Sequence, residues 1–356
     1  MNPGLVVKLR PSGPWRIGPD SGARNQVDVV YHSDSLYSAV TSALGRLGSL
    51  GEWLEATARN GAPAVCFSSC FPFLEEIGFV VPPRTLWPPA APALMAARVR
   101  WKSARFVPLG IVQALLAGQA LDENHWAVDG PSGCLVPAGR SGPFRTGVRW
   151  NAAVDRLAGS TERHATACIE FRGGAGLWTV VSFASDSARD RWLEPVKAAF
   201  RLLADSGFGG ERSRGWGRSE MPEFTEGVLP EMIIGNVGQI SGLPREGEAE
   251  RAEGAPAPGP RPLAPAYWLL SLFTPSPADA VDWGRGNYTV LARGGRVESP
   301  AGSGELKKQL HMVAEGSVLV AGSSLRGAAP DVAPDGFAHP VFRAGFAVSI
   351  PLPEGS

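Results

Sequence analysis

The chain has 356 residues, 44% of them hydrophobic and 19% charged, with 34 basic and 34 acidic side chains and a formal net charge of zero. That length points to two domains, and the neutral balance excludes a protein that scans bulk nucleic acid through its overall field. The 44 glycines and 32 prolines imply a loop-rich globular fold.

In chain order, LVVKL at residues 5–9 reads as an opening strand closed by Pro11 and Gly13. Ser33 and Asp34 suit a helix N-cap, and Leu36, Val40, Leu44 and Leu47 recur at helical spacing until Gly48. AVCFSSCF at 64–71 predicts a strand. The proline-rich stretch from Pro72 to Pro92 is expected to be an extended surface excursion, because proline breaks helices and central strands. Residues 98–107 read as an extended basic segment and 109–117 as a short helix. The runs ACIEF and LWTVVSF, on either side of residues 172–176, predict a hairpin. Trp192, Leu193, Val196, Phe200 and Leu203 define a helix over 187–205, followed by a glycine loop and a strand.

The order strand, helix, strands, helix, glycine loop, strand suits a ferredoxin-like βαββαβ unit with long insertions. We expect it to occupy 1–225, with a linker or disordered insertion over 226–265, rich in Pro, Ala, Gly and Glu toward its end. Four strand candidates within 267–352 make the remainder, 266–356, a second ferredoxin-like or mainly β domain. The fold class expected is therefore α+β.

Charge is segregated within the neutral total. Arg84, Arg98, Arg100, Lys102 and Arg105 form a stretch without acid, and Arg140, Arg145, Arg149 and Arg156 are opposed only by Asp155. Such a pattern permits a local anionic ligand, or equally basic loops that are only solvated. Cys66, Cys70, Cys134 and Cys168 contain no Cys-x-x-Cys pair, so no structural zinc is expected. The N-terminus lacks a secretory signal, and no apolar run approaches the roughly 20 residues needed to cross a bilayer. A cytoplasmic protein with reduced thiols is the expectation.

The loop over 207–218 holds five glycines and three arginines. Aligned as a phosphate-binding NTPase loop from Gly210, it has Trp216 and Gly217 where Lys and Ser or Thr are required. Aligned as a dinucleotide turn from Gly207, it has Arg212 where a third glycine belongs, and it follows a helix instead of preceding one. Its composition still suits RNA. Glycines let a phosphate chain approach, arginines pair with phosphates, and Trp216 offers a stacking face.

This loop, from Phe208 to Gly217, resembles the glycine-rich loop of the RAMP superfamily of CRISPR proteins. Several further segments resemble the subunits that cap the 5′ handle of the guide RNA in type III-A effector complexes. They are His32 to Ala39, Asn151 with Asp155, Arg156 and Leu157, Pro72-Phe73, Pro82-Pro83, Glu315 to Ser317, and His339 to Gly345. The resemblance implies two ferredoxin-like domains and an RNA-binding subunit without catalysis, cofactor or metal. Its implied partners are the handle, a large signalling subunit with a palm domain and a backbone RAMP subunit, with no membrane or direct DNA contact. The equivalent subunit of a III-B or III-D complex would share the loop.

Carried over by position, Gly207, Gly209, Gly210, Arg212, Ser213, Arg214, Gly215, Trp216, Gly217 and Arg218 would cradle the handle. His32, Ser33 and Asp34 would lie on the same face. Arg98, Arg100, Lys102 and Arg105 would reach guide RNA or a neighbouring subunit, and Arg156 would join them. Because relatives in the superfamily include ribonucleases, His32 with Tyr31 or Tyr37 is the acid and base pair to be weighed. A structural or phosphate-contacting role suits His32 better, and helix capping suits Asp34 better. His125, His164, His311 and His339 are isolated in the sequence.

Overall fold

The computed structural model describes residues 2–19, 22–89, 95–119, 121–154, 159, 161–235, 264–299 and 302–353. The N-terminal unit opens with strand β1 (Asn2–Leu9), whose Leu5, Val7 and Leu9 are fully buried by the two-residue alternation of a strand. Helix α1 (Ser33–Arg46) and the short α2 (Leu50–Leu54) follow, then strands β2 (Val65–Phe67), β3 (Phe71–Leu74) and β4 (Ile77–Val80). An insertion comprises α3 (Met95–Trp101), β5 (Val107–Pro108), α4 (Leu109–Leu116) and the hairpin β6 (Trp126–Asp129) with β7 (Cys134–Pro137). A longer arm follows, β8 (Phe144–Val154) paired with β9 (Thr161–Phe171). The unit closes with β10 (Ala175–Phe183), α5 (Asp186–Ser206), β11 (Glu223–Leu229) and the one-turn α6 (Glu231–Ile234).

The main sheet runs β11-β1-β10-β3-β4-β5, with β2 also on β10, and its neighbours are antiparallel. Taking β2 and β3 as one interrupted strand, the order β11-β1-β10-β3 is the 4-1-3-2 order of a βαββαβ unit. Helices α1 and α5 supply the apolar stripe that covers the sheet, with Leu36, Val40 and Leu44 of one and Trp192, Val196, Phe200 and Leu203 of the other buried. The Ser185 hydroxyl caps α5 by accepting from the Ala188 amide at 3.1 Å.

The C-terminal unit contains β12 (Ala266–Leu269), β13 (Val281–Asn287), β14 (Val290–Arg293), β15 (Arg296–Ser299), β16 (Gly302–Leu306) and β17 (Leu310–Val313). It ends with β18 (Val318–Ala321), β19 (Gly327–Ala328), β20 (Gly345–Phe346) and β21 (Ser349–Leu352). Its sheet order, β13-β18-β12-β21, is again that of a ferredoxin-like unit, read from the other edge. Both crossovers, over 270–280 and 322–348, carry no helix among the described residues. Pro275, Pro277, Pro330, Pro334 and Pro340 lie in them, and proline removes the donor a helix interior needs. The connection between β13 and β18 is instead extended by nested pairs, β14 with β17 and β15 with β16.

The two units share one hydrophobic core, in which Trp268, Leu270, Val318 and Ile350 pack with Leu5, Phe67 and Val180. Backbone hydrogen bonds cross the junction from Ser69 N–H to Leu270 O at 2.9 Å and from Arg84 N–H to Gly316 O at 3.0 Å. The Trp268 indole donates to Val81 O at 3.1 Å.

Several expectations need correction. The segment after Pro72 begins as sheet: Phe73, Phe79 and Val80 are buried. Pro72 sits beside Leu177 of β10, before the pairing of β3 with β4 begins at Phe73. Residues 98–101 of the expected extended basic segment, 98–107, belong instead to helix α3. The runs around 172–176 do not pair with each other, because both edges of β10 are taken by β1 and by β2 and β3, and β9 pairs with β8 instead. The first unit reaches beyond 225, since β11 extends to Leu229 along β1. Most of the expected linker, 236–263, lies outside the described residues. All four cysteines are free. Among the described residues no helix is long and apolar enough to cross a membrane.

Candidate nucleic-acid interface

The glycine loop leaves the end of α5 and folds back on residues 12–16. The Phe208 ring is buried and stacks on Trp15, with centroids 5.1 Å apart and planes 17° apart. Gly209 has φ +70°, and a Cβ there would stand 2.3 Å from Arg16 O; Gly217 has φ +78°, and its Cβ would stand 1.9 Å from Phe208 O. Both positions therefore require glycine, for close approach of one protein backbone to another. The Gly210 amide donates to Arg16 O at 2.8 Å, Gly217 to Pro14 O at 2.9 Å and Phe208 to Gly217 O at 2.9 Å.

These contacts correct the expected cradle. The amides of Gly207, Gly210, Gly215 and Gly217 are spent on internal acceptors, and Trp216 is buried, so its ring offers no face to a base. What the loop presents outward is side chains. Arg212, Ser213 and Arg214 form one exposed 3₁₀ turn at its tip, and Arg218 is exposed beyond it.

Residues 12–16 are held on their other side by the β8–β9 arm. Trp15 exchanges backbone hydrogen bonds with Ile169 at 3.0 and 2.7 Å. Arg16 is buried and its guanidinium donates to the carbonyls of Ala23, Arg24, Gln26 and Ala167 at 2.9 to 3.2 Å. Burial lowers its pKa. The arm thereby comes within reach of the loop tip, where Arg214 Nη2 lies 3.4 Å from His164 Nε2.

In the arm's register Asn151 faces His164, Arg149 faces Thr166 and Arg145 faces Glu170. Arg145 and Arg149 both bind the Glu170 carboxylate, at 3.0 and 2.7 Å. Hydrogen bonds from Arg149 and then Arg145 hold that carboxyl below its usual range. A groove of about 790 Å³ runs alongside, lined in part by Pro11, Pro14, Arg145, Arg149 and Arg172. The opposite face of the arm is apolar and exposed, with Trp150 at 71% and Val148 at 52%. Arg145 and Arg149 were visible in the sequence only as a basic stretch. Their place beside the glycine loop follows from strand register, which no local pattern records.

His32, Ser33 and Asp34 lie elsewhere than expected. All three are buried at the junction of the two units. The N-cap of α1 is His32, without a side-chain cap, so Asp34 does not cap the helix. The Asp34 carboxylate instead accepts from Arg293 at 2.9 and 3.1 Å and from Arg343. Burial pushes its pKa up, but the two guanidiniums hold it far below the carboxylate range. Ser33 Oγ accepts from the Leu272 amide at 3.0 Å.

His32 is clasped by Glu315 at Nδ1, 2.8 Å, and by Asp28 at Nε2, 3.1 Å. Burial lowers its pKa, and the Glu315 and Asp28 carboxylates more than offset this, pushing it up to about 9. Both ring nitrogens are thus committed, and neither tyrosine joins them. The Tyr31 ring packs on Trp15 and Phe208, and the Tyr37 hydroxyl lies 2.7 Å from Thr57 Oγ1.

Of the other basic residues, Arg98 and Arg100 stand on the exposed side of α3, and Lys102 is exposed just past its end. Arg100 is paired with Glu123 at 3.3 Å, and Arg105 with Asp28 at 3.3 Å. Arg156 lies outside the described residues, as do Asp155 and Leu157. Among the described residues no group of three metal-ligating side chains occurs.

Two units with ferredoxin strand order, the first closed by a glycine-rich loop, are the arrangement that the resemblance to RAMP proteins implies. Residues 263–352 match the family described as the CRISPR Csm4 C-terminal domain. A chain of the crystal structure of a Csm1-Csm4 cassette in complex with cA4 superposes with TM-score 0.56 and 17% identity, over 99% of this chain and 100% of the other. A chain of the Csm3-Csm4 subcomplex of a type III-A CRISPR-Cas interference complex gives TM-score 0.60 and 14% identity, over 98% and 99%. No curated protein matches in the sequence search. Over residues 263–352 the chain thus matches the Csm4 C-terminal domain family, and over nearly its whole length it shares the fold of chains from these Csm assemblies.

Proposed function

We propose that this chain is a non-catalytic, guide-RNA-binding subunit of a type III-A CRISPR effector, holding the 5′ handle. The observation that carries the reading is one exposed basic strip. It runs from Arg212 and Arg214 at the glycine-loop tip, past the half-buried His164, to Arg149 and Arg145 at the arm, with the carboxylates of Glu298, Glu211 and Glu170 as their present partners. Guanidiniums in such a row pair with successive phosphates, and the groove beside them has room for a nucleotide. Glycines fix the loop's shape, and arginines supply the contact.

Docking to a large signalling subunit and to a backbone subunit belongs to the same reading. It is supported by likeness to chains found in Csm1-Csm4 and Csm3-Csm4 assemblies. Non-catalysis is supported by the commitment of both His32 nitrogens to buried carboxylates.

The test is binding of handle-containing RNA to the full chain across a salt series. Arg212→Ala with Arg214→Ala is expected to weaken binding about tenfold or more and to flatten the salt dependence by about 0.7 per lost contact. Unchanged affinity and slope in that double variant would exclude the loop as the binding surface. Cleavage of the RNA by the isolated chain, lost in His32→Ala, would replace this reading with a ribonuclease.

A further inference from the structure

The C-terminal unit meets the tip of the glycine loop through its β15–β16 hairpin, which has cations of its own at its base. Arg212 Nη2 donates to Glu298 Oε1 at 2.7 Å, so the loop meets the β15–β16 hairpin. Lys307 directly follows β16, and its amide donates to Gly295 O at 2.9 Å, which places it at the base of that hairpin. The neighbouring Gly294 carbonyl accepts from Arg343. Behind Lys307, then, lie Arg343 and its companion Arg293, which share the single carboxylate of Asp34.

Among the described residues, Asp34 answers Arg293 and Arg343, Glu298 answers Arg212, and Lys307 adds a cation with no carboxylate of its own. Among the described residues Arg343 Nε is buried without an acceptor, and Lys307 makes no ion pair. Partly buried cations in excess are unfavourable until an anion completes them. Burial, then the nearby Arg343, lowers the Lys307 pKa, consistent with that excess. Glu298 is 81% exposed at its side chain, so it leaves Arg212 for water at small cost. A carboxylate oxygen on a guanidinium occupies the position a phosphate oxygen would take.

We infer that Lys307 and Arg212 form a second phosphate subsite for the RNA, on the C-terminal unit's side of the glycine loop, with Glu298 as the internal counter-ion that the RNA displaces. The inference rests on the handle-binding reading and adds a contact from the second unit. The RNA is thereby gripped by both halves of the chain.

The experiment measures fluorescence anisotropy of a labelled 12-nucleotide single-stranded RNA with the full chain at several salt concentrations. Lys307→Gln is expected to weaken binding three- to tenfold and to flatten the salt slope by about 0.7, the value for one phosphate contact on a single strand. Lys307→Arg restores both, and Glu298→Gln tightens binding two- to fivefold. An unchanged affinity and slope in Lys307→Gln, while Arg212→Ala with Arg214→Ala still loses RNA, overturns the subsite and leaves the handle-binding reading standing. Equal loss in Lys307→Gln and Lys307→Arg also overturns it, by assigning Lys307 to packing. If the double arginine variant keeps its RNA while Lys307→Gln loses it, the loop-tip reading falls, and with it the pairing of Lys307 with Arg212 in one subsite.

Discussion

His32 and Asp34 sit two residues apart at the start of α1, and each reaches a charged group of the C-terminal unit. His32 takes Glu315, and Asp34 takes Arg293 and Arg343. Removing one member of such a buried set strands its partners, at a cost of about 3–5 kcal/mol. The two residues therefore act as clasps between units, and the His32 clasp is sensitive to pH. Its folded pKa is raised to about 9, above the ordinary value near 6.5. Its contribution is fully present below pH ~6.5 and is lost as pH rises through about 9. The melting temperature of the full chain should fall over that interval. In His32→Gln it should start lower at pH 6 and show a smaller fall, which thermal unfolding at a series of pH values would check.

At the scale of elements, the basic insertion shows how side-chain period decides structure. RVRW at 98–101 alternates charged and apolar residues, the signature of a strand. Yet Val99 is 78% exposed, while Ala97, Trp101 and Ala104 are buried, a spacing of four and three that belongs to a helical face. Trp101 stacks on Trp87, with centroids 5.6 Å and planes 13° apart, and that contact selects the helix over the strand. Trp101→Ala should destabilise by about 3–5 kcal/mol if the insertion unfolds together with the sheet. Hydrogen exchange over residues 95–106 would report it, and faster exchange confined there would show the insertion opening by itself. The glycine loop was legible in composition and position. Its use of glycines was not, because the opposing backbone, residues 14–16, lies about 200 residues away in sequence.

The whole molecule repeats one strand order twice, the first time with its helices and the second time, among the described residues, without. A helix-free unit of fewer than 100 residues has little to cover its sheet. Here one face is covered by the partner unit, through the shared core around Trp268, Leu270 and Phe346, and Leu269 and Leu319 of the other pack under the unit's own Phe273, Val313 and Leu325. The full chain should accordingly unfold in one cooperative transition, and a fragment spanning 264–353 should lack one. A sharp melting transition in that fragment would show that the units are independent.

Sequence by itself determined the elements whose residues carry their own period or punctuation. These are β1, α1, α5 and the glycine loop after it, together with the α+β class and the first unit's strand and helix order. Tertiary structure alone decided which faces those elements turn to one another. It sent Asp34 to Arg293 instead of to a helix cap, set His164 of the arm beside Arg214, and buried Trp216 while leaving Arg212 outside. The reason is physical: propensity and periodicity act over a few residues. Charge pairing, strand register and close backbone approach act across space, between residues that the chain holds far apart.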